Sequence, residues 1–289
     1  MPELPAPTEF PAPPAEVLHF YRDLAHQQSL WELQLAREGL SLAGGKAKRR
    51  PEAEILGDHL QSGRTLVEAG LLSIREEDFL GIARELLDFL AGHRPALEEK
   101  WEEIRAALNG MRPAGGADCF PSSLVQEAVQ GNYGSWYRLT AGISPAVLDF
   151  FLQQALRPFL RPLAVAFGEW LPAAERDRVW QRGRCPVCGR PPALARLGEE
   201  GRRYLRCLLC DAEWLFKRLA CPFCGNEDCQ KLGTLRVDGD EGGEIHFCDN
   251  CSGYLKVIRR AVPEPARELD LNSLYLDLVA EKAGLRREG

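Results

Sequence analysis

The sequence has no apolar run long enough to span a membrane. Its best candidate, residues 150–167, is interrupted by Arg157, Arg161 and two prolines, which predicts no membrane insertion. An excess of basic charge is missing too. The formal net charge is −6 and the pI about 5.6, which argues against nucleic acid as a partner. The start, MPELPAPTEFPAPPAE, places acids and prolines where a secretory signal needs a basic start and an apolar run. This predicts a cytoplasmic protein. There is no Ser/His/Asp order, no phosphate loop and no paired carboxylates in a telling context, so no enzyme activity is expected. Histidine is scarce, at 5 residues. His19 and His26 read as solvated or hydrogen-bonded side chains rather than ligands. No convincing strand precedes residue 183.

What the sequence does have is cysteine. Ten are present, and without a secretory signal they point to metal rather than disulfides. Eight form four C-x-x-C pairs: Cys185/Cys188, Cys207/Cys210, Cys221/Cys224 and Cys248/Cys251. Two intervening residues let both sulfurs of one tight turn face a single ion, and two such turns complete a tetrahedral site. Between the paired knuckles lie 18 residues in the first half and 23 in the second, room for a short hairpin. The segment repeats: CPVCG, GRRYLRCLLC and DAEWLFKR are followed by CPFCG, GGEIHFCDNC and SGYLKVIRR. On this alignment Tyr204 matches Ile245, Phe216 matches Val257 and Arg218 matches Arg259. Each unit reads as knuckle, hairpin, knuckle, strand. Ligation within each repeat is the expected pairing, and a cross-braced arrangement (first pair with third, second with fourth) is the alternative. His246 matches Leu205 and reads as a hairpin residue. Cys229 reads as a solvent-facing or partly buried thiol, with a spare ligand as the alternative, and Cys119 as a buried small hydrophobe. Four thiolates suit zinc or a mononuclear iron of rubredoxin type, and spacing does not separate them.

The remainder of the chain reads as helix. Residues 1–14 form a proline-rich lead, and 15–182 an all-α domain. Val17, Leu18, Tyr21, Leu24, Trp31 and Leu35 suggest the first apolar stripe. Residues 41–51 and 111–118 read as loops, 56–60 and 66–72 as short helical pieces, and 76–90 and 95–108 as longer helices. NYGSWY, at 132–137, reads as a plug between helices, and Ser144-Pro145 as a cap opening a long helix. Residues 183–219 and 220–262 are the two four-cysteine ribbons. Residues 263–289 form a C-terminal helix and tail, capped by Asp270 or Asn272, with Leu271, Leu274, Tyr275 and Leu278 as its apolar face and Gly284 as its stop. The fold class is α+β: an all-α N-terminal domain, two tandem rubredoxin-like or zinc-ribbon modules and a C-terminal helix.

GRCPVCGRPP, RRYLRCLLCDAEW, CPFCG, CDNCSGYLK and DLNSLYLDLV follow one another in an order that resembles the FdhE family of formate dehydrogenase accessory proteins. The resemblance covers residues 183–280. It implies a cytoplasmic, chaperone-like maturation factor that binds the catalytic subunit of formate dehydrogenase before export by the twin-arginine route. It also implies two rubredoxin-like iron ions, with zinc as the alternative, on Cys185, Cys188, Cys207, Cys210, Cys221, Cys224, Cys248 and Cys251. Two other readings stand beside it. One is a rubredoxin-like electron-transfer protein. The other is a zinc-ribbon nucleic-acid-binding protein, which the acidic pI counts against.

Overall fold

The computed structural model describes residues 12–37, 53–110, 127–128, 133–140, 142–237, 239–259 and 264–287. The loops at 41–51 and 111–118, Cys119 and most of the proline-rich lead lie outside these residues. The helical half comprises α1 (Ala15–Arg37), α2 (Ala53–Gln61), α3 (Glu76–His93), α4 (Glu98–Gly110), α5 (Gly134–Leu139), α6 (Pro145–Trp170) and α7 (Ala173–Val179). Among the described residues no strand precedes β1.

Helix α6 is the spine of this half. Ser144 caps it, its Oγ accepting from the Val147 N–H at 3.4 Å, and Pro145 occupies the first turn. It buries Leu148, Phe151, Leu152, Ala155, Leu156, Phe159, Leu160, Leu163 and Phe167. Each large apolar side chain so buried stabilises the fold by roughly 1.5–3 kcal/mol relative to exposure. The helices expected over 76–90 and 95–108 form, and the apolar stripes of α3 (Phe79, Leu80, Ile82, Leu86, Leu87) and α4 (Trp101, Ile104, Leu108) are all buried. In NYGSWY, Tyr133 and Trp136 are buried, with Trp136 against Phe79, and the described part from Gly134 on lies in α5.

Three expectations are corrected. The buried stripe of α1 is Phe20, Leu24, Gln28, Trp31 and Leu35, while Val17, Leu18 and Tyr21 are only half-buried. Gln28, a polar residue, has no place in an apolar stripe. It is buried because its amide donates to Gln154 on α6, to the backbone O at 3.1 Å and to Oε1 at 3.2 Å. Residues 66–72 make one turn rather than a helical piece, because Gly70 adopts φ +76° and ends it. The C-terminal helix is two helices, α8 (Ala266–Asn272) and α9 (Leu274–Lys282), broken at Ser273. Asp270 is buried inside α8 rather than capping a helix, and the apolar face of α9 is Leu276, Val279 and Ala280, with Leu278 exposed. Gly284 does sit beyond the end of α9, at φ +75°.

The two ribbons share one sheet. Strands β1 (Leu194–Leu197), β2 (Arg203–Arg206) and β3 (Glu213–Phe216) form an antiparallel meander, as do β4 (Leu232–Leu235), β5 (Gly243–Cys248) and β6 (Gly253–Ile258). The meanders join where β1 pairs in parallel with β6, with Leu194 opposite Lys256 and Arg196 opposite Ile258. The order is β3-β2-β1-β6-β5-β4, and the short β7 (Arg286–Arg287) pairs with the other end of β6. Central in this arrangement, β6 is buried along its whole length. Its Lys256 is fully buried, with Nζ 2.6 Å from Asp270 Oδ1 on α8 and 2.7 Å from Asp277 Oδ2 on α9. Arg287 completes the cluster on the same two carboxylates, at 2.5 and 3.2 Å. Burial would raise the Asp270 carboxyl, but Lys256 and Arg287 outweigh it and hold it below its usual range. Two cations and two carboxylates thus fasten the C-terminal helices to the sheet.

Candidate metal centres

The four knuckles share one backbone device. In each, the residue four positions after the first cysteine has positive φ: Gly189 (79°), Asp211 (61°), Gly225 (74°) and Ser252 (59°). The N–H of that residue donates back to the first cysteine's carbonyl, at 3.0, 3.1, 3.0 and 2.8 Å in order. This curls the turn so that both sulfurs face one point. CPVCG and CPFCG carry glycine where the left-handed backbone requires least strain. Asp211 and Ser252 adopt the same conformation with a Cβ.

The knuckles assemble within each repeat. Cys185, Cys188, Cys207 and Cys210 form one cluster and Cys221, Cys224, Cys248 and Cys251 the other, the sulfurs of each lying within 4.8 Å of one another. The cross-braced alternative is thereby excluded. In the first cluster, Sγ–Sγ distances are 3.5 Å for Cys185–Cys210, 3.5 Å for Cys188–Cys207 and 3.8 Å for Cys188–Cys210. In the second they are 3.7 Å for Cys221–Cys251 and 3.8 Å for Cys224–Cys248. A tetrahedral ion with metal–sulfur bonds of about 2.3 Å sets its sulfurs about 3.8 Å apart. Both donor sets therefore fit a tetrathiolate ion.

The surroundings differ. The first cluster lies in the main hydrophobic core, all four cysteines buried, beside Val187 and Leu209. Burial drives the Cys185 and Cys210 thiols well above their usual value. The helical half grips both knuckles. Leu66 and Val67 N–H groups donate to the Pro186 and Val187 carbonyls at 2.9 and 3.1 Å. Arg184 bonds Glu68 and the Gly63 carbonyl. Arg190 donates to the Ala128 carbonyl and to the Tyr133 hydroxyl. From α6, Arg157 donates to the Leu208 carbonyl and, at 2.6 Å, to Asp211 Oδ2, and Arg161 adds a second ion pair to Asp211 at 3.1 Å.

At the second cluster Cys224 is exposed and Cys251 half-buried. Side-chain amides support its sulfurs: Asn226 lies 3.7 Å from Cys248 Sγ and Asn250 3.6 Å from Cys224 Sγ. Against the desolvation that would raise it, bonds from the Asn226 backbone, Asn250 and the neighbouring sulfurs hold the Cys224 thiol down to about 7. Cys229 is exposed and belongs to neither cluster. His246 also lies outside both, with Nε2 2.8 Å from the buried Glu244.

The eight cysteines and their pairing are legible in the sequence, whereas the side chains that support their knuckles are not. The fifth-position turn residues were legible in the two CPxCG motifs. Arg157, Arg161, Arg184 and Glu68 had no such signal, because each acts across a long sequence separation.

Together the fold and the two clusters define a helical protein carrying a double four-cysteine ribbon on a single sheet. The chain is similar to FdhE proteins in sequence and in fold, as its motifs implied. Residues 184–218 match the family model described as "FdhE, central domain". A protein FdhE homolog of Aquifex aeolicus is 35% identical over 155 residues, covering 50% of this chain and 52% of the relative. One from Pseudomonas aeruginosa is 35% identical over 178 residues, 56% of each. A Haemophilus ducreyi homolog is 29% identical over 269 residues, covering 84% of this chain and 83% of the relative. In the first two, the match spans about half the length of the relative. The crystal structure of the FdhE protein from Pseudomonas aeruginosa superposes with a TM-score of 0.57 at 23% identity, covering 93% of this chain and 86% of that one. At that identity the superposition speaks for the fold alone.

Proposed function

We propose that this protein is a non-catalytic maturation factor for formate dehydrogenase, acting in the cytoplasm on the enzyme's catalytic subunit before export. The observation that carries the reading is the pair of four-cysteine clusters built on one sheet, the first of them within residues 184–218, which match the FdhE central domain. Cys185, Cys188, Cys207 and Cys210 would hold one ion, and Cys221, Cys224, Cys248 and Cys251 the other. Rubredoxin-like iron is favoured on the family resemblance, with zinc as the alternative. Each ion would supply folding stability, on the order of 10 kcal/mol in small zinc modules. A closed tetrathiolate site has no open position for a substrate, which supports a role in binding rather than catalysis. Among the described residues no helix is long and apolar enough to cross a membrane.

The test is capture. The full chain, purified anaerobically with its metal, is immobilised and offered the formate dehydrogenase catalytic subunit with its export signal intact. Saturable retention of that subunit is expected, and its loss in Cys185→Ala is expected if the ribbon sheet forms the docking frame. No retention by the metal-loaded chain sinks the proposal. Exposure of Cys224 favours one second reading, electron exchange through an iron at the second centre. A reversible one-electron couple without capture of the subunit would favour it.

A further inference from the structure

The two clusters have the same donor set and very different surroundings. In the first, the four cysteines are at most 2% exposed. Its knuckles are tied to the helical half by two backbone bonds from Leu66 and Val67 and by Arg157, Arg161, Arg184 and Arg190. A groove along Pro191, Pro192 and Ala193 reaches Cys207, but that residue is 1% exposed. The second cluster opens to solvent. Cys224 is exposed and Cys251 half-buried, while Cys221 and Cys248, themselves buried, line a cleft of about 170 Å³ beside Leu219, Phe223 and His246. Its knuckles are held by the ribbon itself, through the Asp249 N–H to the Lys231 carbonyl at 2.8 Å, and by β7, through the Arg286 N–H to the Ser252 carbonyl at 2.7 Å. No bond from the described residues of the helical half reaches them.

Ligand exchange at a tetrathiolate ion needs an incoming donor to approach the metal before a thiolate leaves. At the second cluster that approach is open on the Cys224 side. At the first it requires the helical half to let go of a knuckle, a local opening with its own free-energy cost. We propose that the second centre is the exchanging one: it yields its ion to an incoming chelating ligand while the chain stays folded and the first centre stays closed. The ion departs as the divalent cation on the incoming ligand, and the thiolates left behind take up protons from water. The inference rests on the metal-binding reading above.

The experiment uses the full chain loaded with two equivalents of zinc, excess 4-(2-pyridylazo)resorcinol as the probe, and pulsed iodoacetamide alkylation mapped by mass spectrometry. One equivalent should transfer about tenfold or more faster than the other, the difference set by the opening cost. Alkylation should appear on Cys221, Cys224, Cys248 and Cys251 while Cys185, Cys188, Cys207 and Cys210 remain unmodified. Exposed Cys229 labels throughout and serves as the internal reference. Asn250→Ala, which removes the amide beside Cys224 Sγ, should speed the fast phase alone. Two equivalents leaving at one rate, or first labelling at Cys185 to Cys210, overturns the inference. Zinc content before chelator is added tests the metal-binding reading separately, since a chain that takes up no zinc refutes that reading whereas two zincs leaving together refute only the exchange asymmetry.

Discussion

Arg157→Met should loosen the first centre without touching a ligand. Arg157 is 5% exposed and reaches from the middle of α6 into the second knuckle of the first cluster. It donates to the Leu208 carbonyl, to the Leu209 carbonyl at 3.4 Å and to Asp211 Oδ2 at 2.6 Å. Asp211 is the left-handed residue that closes the knuckle. Removing one partner of a buried ion pair costs about 3–5 kcal/mol, because the other charge is left uncompensated. Here Arg161 still holds Asp211 at 3.1 Å, which keeps one of its two cationic partners. The expected loss is therefore about 2–3 kcal/mol, most of it from two carbonyls and a carboxylate that lose charged donors. Arg157→Lys keeps the charge without the planar fork and should fall between wild type and Arg157→Met. The assay is urea unfolding at a fixed free zinc concentration, since bound metal adds to the apparent stability. Iodoacetamide protection of Cys207 and Cys210 is read alongside. A stability within about 0.5 kcal/mol of wild type, the range of ordinary surface substitutions, with protection unchanged, would refute the reasoning.

Lys256→Met should cost about 3 kcal/mol or more, because it leaves Asp270 and Asp277 to share the Arg287 guanidinium, with only the Tyr254 hydroxyl added on Asp277. Hydrogen exchange should then localise the opening to α8 and α9, and uniform exchange across the sheet would contradict the assignment. Glu244 is held down to about 2 from an ordinary 4.5, chiefly by its bond from His246, against burial and with help from Arg236. Its pKa is lower in the folded chain, so its contribution is complete above pH 4.5 and is lost as pH falls toward 2. At its upper limit this contribution is about 3 kcal/mol. The stability gap between wild type and Glu244→Gln, measured by denaturant unfolding, should shrink as pH drops from 5 to 3. A gap independent of pH would contradict it.

The site was legible because its information is local. Each pair occupies a single turn, each repeat brings its own two pairs together through a short hairpin, and the resulting clusters keep that pairing. The long helices were legible for the same reason, since apolar periodicity on α3 and α4 is a property of neighbouring residues. The fusion of the ribbons was not. Parallel pairing of β1 with β6 leaves no spacing signal, and an all-buried strand such as β6 shows no alternation. Arg157 and Arg161 show the limit most plainly. In the sequence they are two charges that interrupt an apolar run and argue against a membrane span. In the fold they are the cations that hold Asp211 and lock a knuckle. An acid near a helix start is a good cap, and the sequence offers that reading for Asp270. Only the tertiary position of Lys256 shows that it is a buried counter-ion.

The account rests on two independent tetrathiolate centres, one in each repeat. Native mass spectrometry of the metal-loaded full chain, beside Cys185→Ala and Cys248→Ala, tests this most directly. The account predicts two ions in the wild type and one in each variant, with the remaining ion retained by the intact ribbon because each cluster draws its ligands from one repeat. Two ions still bound in either variant would contradict it.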